Sequence, residues 1–242
     1  MPSNKKLLQA AAGNAGESLY AEDVFSTYLY EGNNAARTIA NGIALSDEGG
    51  LVWLKNRALD SHVLFDTVNG PQKSLASDDT AAGSNYSSYL SFPSAGTAGW
   101  NLAGAVLNGT GTSWASWSFR KAEKFFDIQT YTGNGTTQNI SHNLGSTPGV
   151  IIVKNTQSST YWAVYHGSVP AYVGFLNATN AFDTSNTQNF GNNTNPVAPT
   201  DSVFTVGQQS LVNSSGETYV AYLFASDAGG FGDDGSENII KC

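Results

Sequence analysis

Gly149-Val150-Ile151-Ile152-Val153-Lys154-Asn155 is the stretch whose reading decides the fold. Four β-branched residues run uninterrupted between Pro148-Gly149 and the polar Asn155-Thr156-Gln157-Ser158-Ser159. A continuous apolar run of that length, bounded by turn residues, predicts a strand buried on both faces. Gly50-Leu51-Val52-Trp53-Leu54-Lys55-Asn56, 99 residues earlier, reads as the same strand with the same Lys-Asn exit. The chain therefore reads as one unit written twice.

Working outward from these strands, the flanking segments also pair. Val24-Phe25-Ser26-Thr27-Tyr28-Leu29-Tyr30 matches Phe125-Phe126-Asp127-Ile128-Gln129-Thr130-Tyr131, and the turn at 31–34 matches Thr132-Gly133-Asn134-Gly135. His62-Val63-Leu64-Phe65-Asp66 matches Trp162-Ala163-Val164-Tyr165-His166. Asn108-Gly109-Thr110-Gly111 matches Asn213-Ser214-Ser215-Gly216, and Trp114 to Phe119 matches Tyr219 to Phe224. The offset drifts only from 99 residues at Gly50/Gly149 to 105 at Asn108/Asn213, in constant order, which is a duplication. Short strands with turn signals about every ten residues predict an all-β protein of two tandem β-sandwich, jelly-roll-like units. One larger sandwich built from both halves is the alternative. The expected parts are an N-terminal docking arm over 1–22, a first unit over 23–122, a second over 123–226, and a linker with the start of a third unit over 227–242. The last part reads as the opening of a longer polypeptide, with a short terminal strand pairing back on the second unit as the alternative. Residues 69–99 show no period and read as a long loop.

The composition agrees. Of 242 residues, 40% are hydrophobic, enough for real cores, while only 12% are charged, about half the usual share. Eleven basic residues against 19 acidic ones leave a net charge of −8, which excludes a phosphate-reading surface and an anionic membrane surface as the default partner. The single cysteine, Cys242, excludes a disulfide scaffold. The apolar run at Leu7-Leu8 is interrupted by Gln9 and is short for a secretory signal. No run reaches the roughly 18 apolar residues of a membrane helix, so no membrane insertion is expected.

Several of these segments carry a family resemblance. They are Val24 to Gly32, Gly50 to Arg57, Ser118-Phe119-Arg120-Lys121-Ala122, Tyr131 to Gly135, Ser141-His142-Asn143-Leu144-Gly145 and Gly216 to Phe224. With the opening Lys5-Lys6-Leu7-Leu8-Gln9-Ala10-Ala11-Ala12-Gly13, they resemble the repeated modules of structural proteins of tailed bacteriophages, marine ones especially. The resemblance covers nearly the whole chain, with Ser74–Gly99 matching least. It implies a virion location, other head or tail subunits as partners, and a homo-oligomer, with a trimer as the analogy from fibres. It implies no catalytic residues. The arm residues Lys5, Lys6, Leu7, Leu8 and Ala11 are then the candidate contacts to a neighbouring subunit, since so short a helix holds only when docked.

Chemistry is sparse beside this. His62, His142 and His166 pair with Trp162, Asn41 and Asp66 of the other unit, which is not how a shared catalytic site behaves. Asp47-Glu48, Asp78-Asp79 and Asp233-Asp234 sit beside Gly or Ser in predicted turns and read as solvated acids rather than a glycosidase pair. Asp227, Asp233, Asp234 and Glu237 match no EF-hand spacing, so neither a metal nor a cofactor is expected. Trp53, Trp100, Trp114 and Trp117 exchange with Ile152, Phe204, Tyr219 and Tyr222 and read as core filling. Tyr86, Tyr89, Tyr161 and Tyr172 lie in loop-like stretches and are the candidate contacts for a host surface glycan. The readings in order are therefore a non-enzymatic virion structural protein, fibre- or appendage-like ahead of a capsid decoration protein, then a carbohydrate-binding attachment module, then a polysaccharide-cleaving enzyme.

Overall fold

The structure is a computed structural model that describes residues 18–58, 62–70, 73–85, 89–182 and 184–242. The first unit runs through β1 (Phe25–Glu31), β2 (Arg37–Ile39), β3 (Gly50–Asn56), β4 (His62–Asp66), β5 (Lys73–Ala76), β6 (Ser84–Asn85), β7 (Leu90–Ser91), β8 (Trp100–Leu102) and β9 (Ser113–Arg120). The second runs through β10 (Phe126–Thr132), β11 (Gln138–Ser141), β12 (Pro148–Asn155), β13 (Ala163–His166), β14 (Tyr172–Phe175), β15 (Thr184–Ser185), β16 (Val203–Val206) and β17 (Thr218–Ala225). Among the described residues, three single-turn helices accompany the strands: α1 (Ala21–Val24), α2 (Leu45–Glu48) and α3 (Ser210–Asn213). The protein is an all-β sandwich.

Each unit contributes one six-stranded antiparallel sheet, ordered β1-β9-β3-β4-β5-β6 and β10-β17-β12-β13-β14-β15. The order is the same in both units: β1, β9, β3 and β4 correspond to β10, β17, β12 and β13 as the sequence pairing predicts, and β5-β6 correspond to β14-β15, which it does not. The buried strands β3 and β12 each lie between the unit's last strand and the hairpin partner that follows them. A small sheet, β2-β8-β7 in the first unit and β11-β16 in the second, packs on the outer face of each. The stretch 69–99, expected as one loop, contains β5, β6 and β7. Strands of two to four residues are too short to display an alternation, so no period announced them.

The duplication reaches individual hydrogen bonds. Asn108 Nδ2 donates to Asn33 Oδ1 at 2.9 Å and to Ala35 O, while Asn33 N donates back to Asn108 Oδ1 at 3.3 Å. In the second unit Asn213 Nδ2 donates to Asn134 Oδ1 and Thr136 O, and Asn134 N returns a bond to Asn213 Oδ1 at 2.9 Å. Tyr30 Oη donates to Leu107 O and Tyr131 Oη to Val212 O. Gly32 and Gly133 are fixed for the same reason: a Cβ would stand 1.9 Å from Gly109 O in one case and 2.2 Å from Ser214 O in the other.

Alternate residues of each central strand point to opposite faces, so each large sheet serves two cores. Outward, Val52, Leu54, Phe65, Trp100 and Trp114 fill the first unit's own core, and Ile151, Val153, Tyr165, Phe204 and Tyr219 fill the second's. Inward, the two large sheets face each other. Leu51, Leu64 and Leu75 meet Phe126, Ile128, Ile152, Val164, Tyr222 and Phe224 in a third, shared core. Four layers result, small sheet, large sheet, large sheet, small sheet, and the middle one belongs to both units. The segment 227–242 lies back over this core. Phe231 is buried in it, bridges Leu19 and stacks edge-on to Phe125 at 6.3 Å, and Ile239 and Ile240 pack alongside. No helix among the described residues is long and apolar enough to cross a membrane.

Candidate functional site

The shared core closes completely over one unit and incompletely over the other. Across the second unit's inward face, Tyr222 on β17, Ile152 and Lys154 on β12 and Trp162 before β13 are all buried. The turn at 77–83 of the first unit seals them. Trp162 Nε1 donates to Ala76 O at 2.9 Å and Asp79 O at 3.2 Å. Thr160 N donates to Thr80 O and Gly83 N to Thr156 O. Lys154 is wholly buried, yet its ammonium has acceptors on Thr80 O at 3.1 Å, Asn155 O at 2.9 Å and Ser158 O at 3.4 Å. Burial lowers it to about 8, opposed by the Asp79 carboxylate. A second lock lies nearby: Tyr222 Oη donates to Asp66 Oδ2 at 2.8 Å, and burial beside that carboxylate pushes the phenol well above its usual range.

The equivalent corner of the first unit carries Trp117, Trp53, Lys55 and His62. All four are only half-buried. Cross-strand register puts Trp53 beside both Trp117 and Leu64, so the two indoles share the inward face, edge to face at 6.5 Å. Leu29, in the next row on β1, is 62% exposed. The second unit's turn at 176–179 passes this corner without sealing it. What remains is a groove of about 400 Å³, lined by Trp53, His62, Ser77, Asp78 and the segment from Leu176 to Thr179. Trp53 Nε1 is buried there with no hydrogen-bond partner among the described residues. Trp100 and Trp114 do fill the first unit's core, and Trp53 packs against the shared core, but Trp53 and Trp117 stay partly exposed because the facing unit covers this corner less completely. The exchange of Trp162 for His62 and of Ile152 for Trp53 was the available signal.

The glycan candidates do not converge. Tyr161 is half exposed and packs on Phe175 at 5.4 Å, over a groove of about 320 Å³ that Thr160, Asn189, Gln209 and Leu211 also line. Tyr172 lies three residues before Phe175 on β14 and so points to the opposite sheet face. Tyr89 packs into the first unit's outer core. Tyr86 lies outside the described residues, as do the arm contacts Lys5, Lys6, Leu7, Leu8 and Ala11. His142 is buried, its Nδ1 accepting from Leu144 N at 3.2 Å. Among the acids of the C-terminal segment, Asp227 pairs with Lys241 at 3.3 Å, Asp233 accepts from Tyr20 Oη and Asp234 accepts from Ser236 N at 3.0 Å. Among the described residues, no three His, Cys, Asp or Glu side chains gather as metal ligands.

Compared with known families, residues 20–237 match the model described as Domain of unknown function (DUF7483). The chain belongs to the DUF7483 family. The match takes in both units, the shared core and Phe231, so the DUF7483 unit contains the duplication rather than one half of it. No curated protein and no solved structure matches the chain.

Proposed function

We propose that this DUF7483 chain is a non-enzymatic structural protein of a bacteriophage virion, fibre- or appendage-like, attached through its N-terminal arm and displaying two fused sandwich units. The observation that carries the reading is the shared core. A middle layer built from both units, with Tyr222, Trp162 and Lys154 bonded across it, makes a stiff spacer, which suits a part that projects from a particle. The motif resemblance to tailed-phage modules supports the same reading, by analogy. Assembly would be as a homo-oligomer, with a trimer the fibre-like expectation. The test is direct. Particles purified from a culture carrying the coding sequence are labelled with gold-tagged antibody to the recombinant chain. Label on tails or appendages supports the proposal, label on heads favours a decoration protein, and label confined to the particle-free extract overturns both. Removing residues 1–17, which keeps Leu19 against Phe231 and Tyr20 on Asp233, is expected to abolish incorporation while leaving the folded units soluble.

An attachment role for carbohydrate is a second reading, favoured by the groove beside Trp53 that the facing unit leaves open.

A further inference from the structure

We propose that the groove at the uncovered corner of the first unit binds a neutral saccharide, with one pyranose ring stacked on the Trp53 indole. This assigns a site rather than a place in a particle, and it stands whether or not the chain is a virion protein.

The groove has the size and setting of a small-ligand site, about 400 Å³ where two folded units meet. Its floor is aromatic, with Trp53 braced by Trp117 and the exposed Leu176 forming an apolar wall. Its rim is polar. The Asp78 carboxylate and the Thr179 hydroxyl have no hydrogen-bond partner among the described residues. Asn177 Oδ1 accepts from Trp162 N at 3.0 Å, which fixes the side chain and leaves its amide nitrogen as a donor. Trp53 Nε1 is a buried donor lacking an acceptor.

The required ligand therefore offers an apolar face to an indole and, around its edge, oxygens that both donate and accept. Pyranose rings do this: their axial C–H groups lie on one face and their hydroxyls point outward. An anionic ligand fits poorly, because Asp78 stands at the mouth of a chain with net charge −8. The corresponding corner of the second unit cannot serve, since Trp162 there is already satisfied and sealed.

The test uses the intact chain with tryptophan indoles labelled by ¹⁵N, which gives one N–H signal for each of five tryptophans. The probes are lactose, maltotriose, mannotriose and chitotriose, each titrated into the millimolar range. At least one is expected to shift the Trp53 signal saturably while Trp100 and Trp114 stay fixed. Asp78→Ala, an exposed turn substitution that leaves the fold intact, is expected to weaken that binding tenfold or more. Trp53→Phe, which keeps a ring but loses the donor, should weaken it less than Trp53→Ala does. Tyr161→Ala should leave it unchanged. No Trp53 shift with any probe overturns the proposal. So does a shift that persists in Asp78→Ala and Trp53→Ala, or one produced by choline and by none of the sugars.

Discussion

In the second unit, the row Val220, Lys154 and Trp162 is sealed under the first unit's turn, down to a buried ammonium held by three carbonyls. In the first unit, the equivalent row of Ala115, Lys55 and His62 borders an open groove, and the exposed Leu29 continues it. Strand order, turn locks and tyrosine anchors are the same in both. The difference arises because two equivalent turns, one after β5 and one after β14, meet different surroundings: the first is bonded to Lys154 and Trp162, and the second borders a groove. Duplication supplied two copies of one corner; stacking turned one into a structural joint and left the other free to bind.

The largest effect should appear where the comparison is sharpest, at Tyr222 and its equivalent Trp117. Tyr222 is 1% exposed, stacks on Phe126 and Trp162, and bonds Asp66 across the units. Tyr222→Ala is expected to cost about 4 kcal/mol, as for other buried aromatics, with a further penalty for the unpaired Asp66 carboxylate. Trp117→Ala, at a half-buried site, should cost about 1 kcal/mol. Urea denaturation measures both. Equal losses would mean that the first unit's corner is closed in solution.

The asparagine locks provide the opposite control, because there the units agree. Asn108→Ala and Asn213→Ala each strand backbone groups that the amide satisfies, so each should cost about 2–3 kcal/mol, and the two values should lie close together. Values differing by several kcal/mol would show that the units are not energetic copies, despite the shared geometry.

These contrasts also mark what could be read from residues alone. The β-branched runs, the Asn-Gly turns and the constant offset are local signals, and they delivered the duplication and the all-β class. The shared core was harder to see. Leu51 and Val52 point to different cores, yet side by side they read as one buried strand. Lys154 looked like a strand's polar exit, as Lys55 is. Its burial depends on a turn of the other unit 74 residues away in sequence. Trp53 aligned with Ile152 and packs on the shared core as that suggests, but no periodicity encodes how completely a facing unit covers it. Tyr161 stands half exposed, as its polar loop suggests, whereas Tyr89 packs into the first unit's outer core, because strands as short as β7 leave no pattern.

Lys154 yields a pH test of its sealed corner. With the folded ammonium near 8 and the free side chain near 10.5, the unfolded chain holds more protons between those values. Stability must therefore rise as pH climbs from about 8 toward 10.5, by about 1–3 kcal/mol in all. Tyrosines whose phenols burial has raised act in the opposite sense near pH 10, so the useful quantity is the difference between wild type and Lys154→Met across one pH series. That difference should change over pH 8–9.5. A flat difference would mean that water reaches the ammonium and the corner is not sealed.

The smallest expected effect concerns His142, which stands where the first unit has Asn41. Both side chains do the same work: Asn41 Oδ1 accepts from Ile43 N at 3.2 Å and His142 Nδ1 accepts from Leu144 N at 3.2 Å. Burial lowers the imidazole's pKa from its usual value, with the Asp127 carboxylate pulling the other way. Below about pH 6.5 the unfolded chain therefore takes up a proton that the folded chain resists, and stability falls as the pH drops. His142→Asn should restore the first unit's arrangement, change stability near pH 7.5 by less than about 1 kcal/mol, and flatten the decline between pH 6.5 and 5. Thermal melts of the two proteins over that range decide it. An unchanged acid slope would place the titrating group elsewhere, and a large loss at pH 7.5 would show that the imidazole ring is needed for packing that asparagine cannot supply.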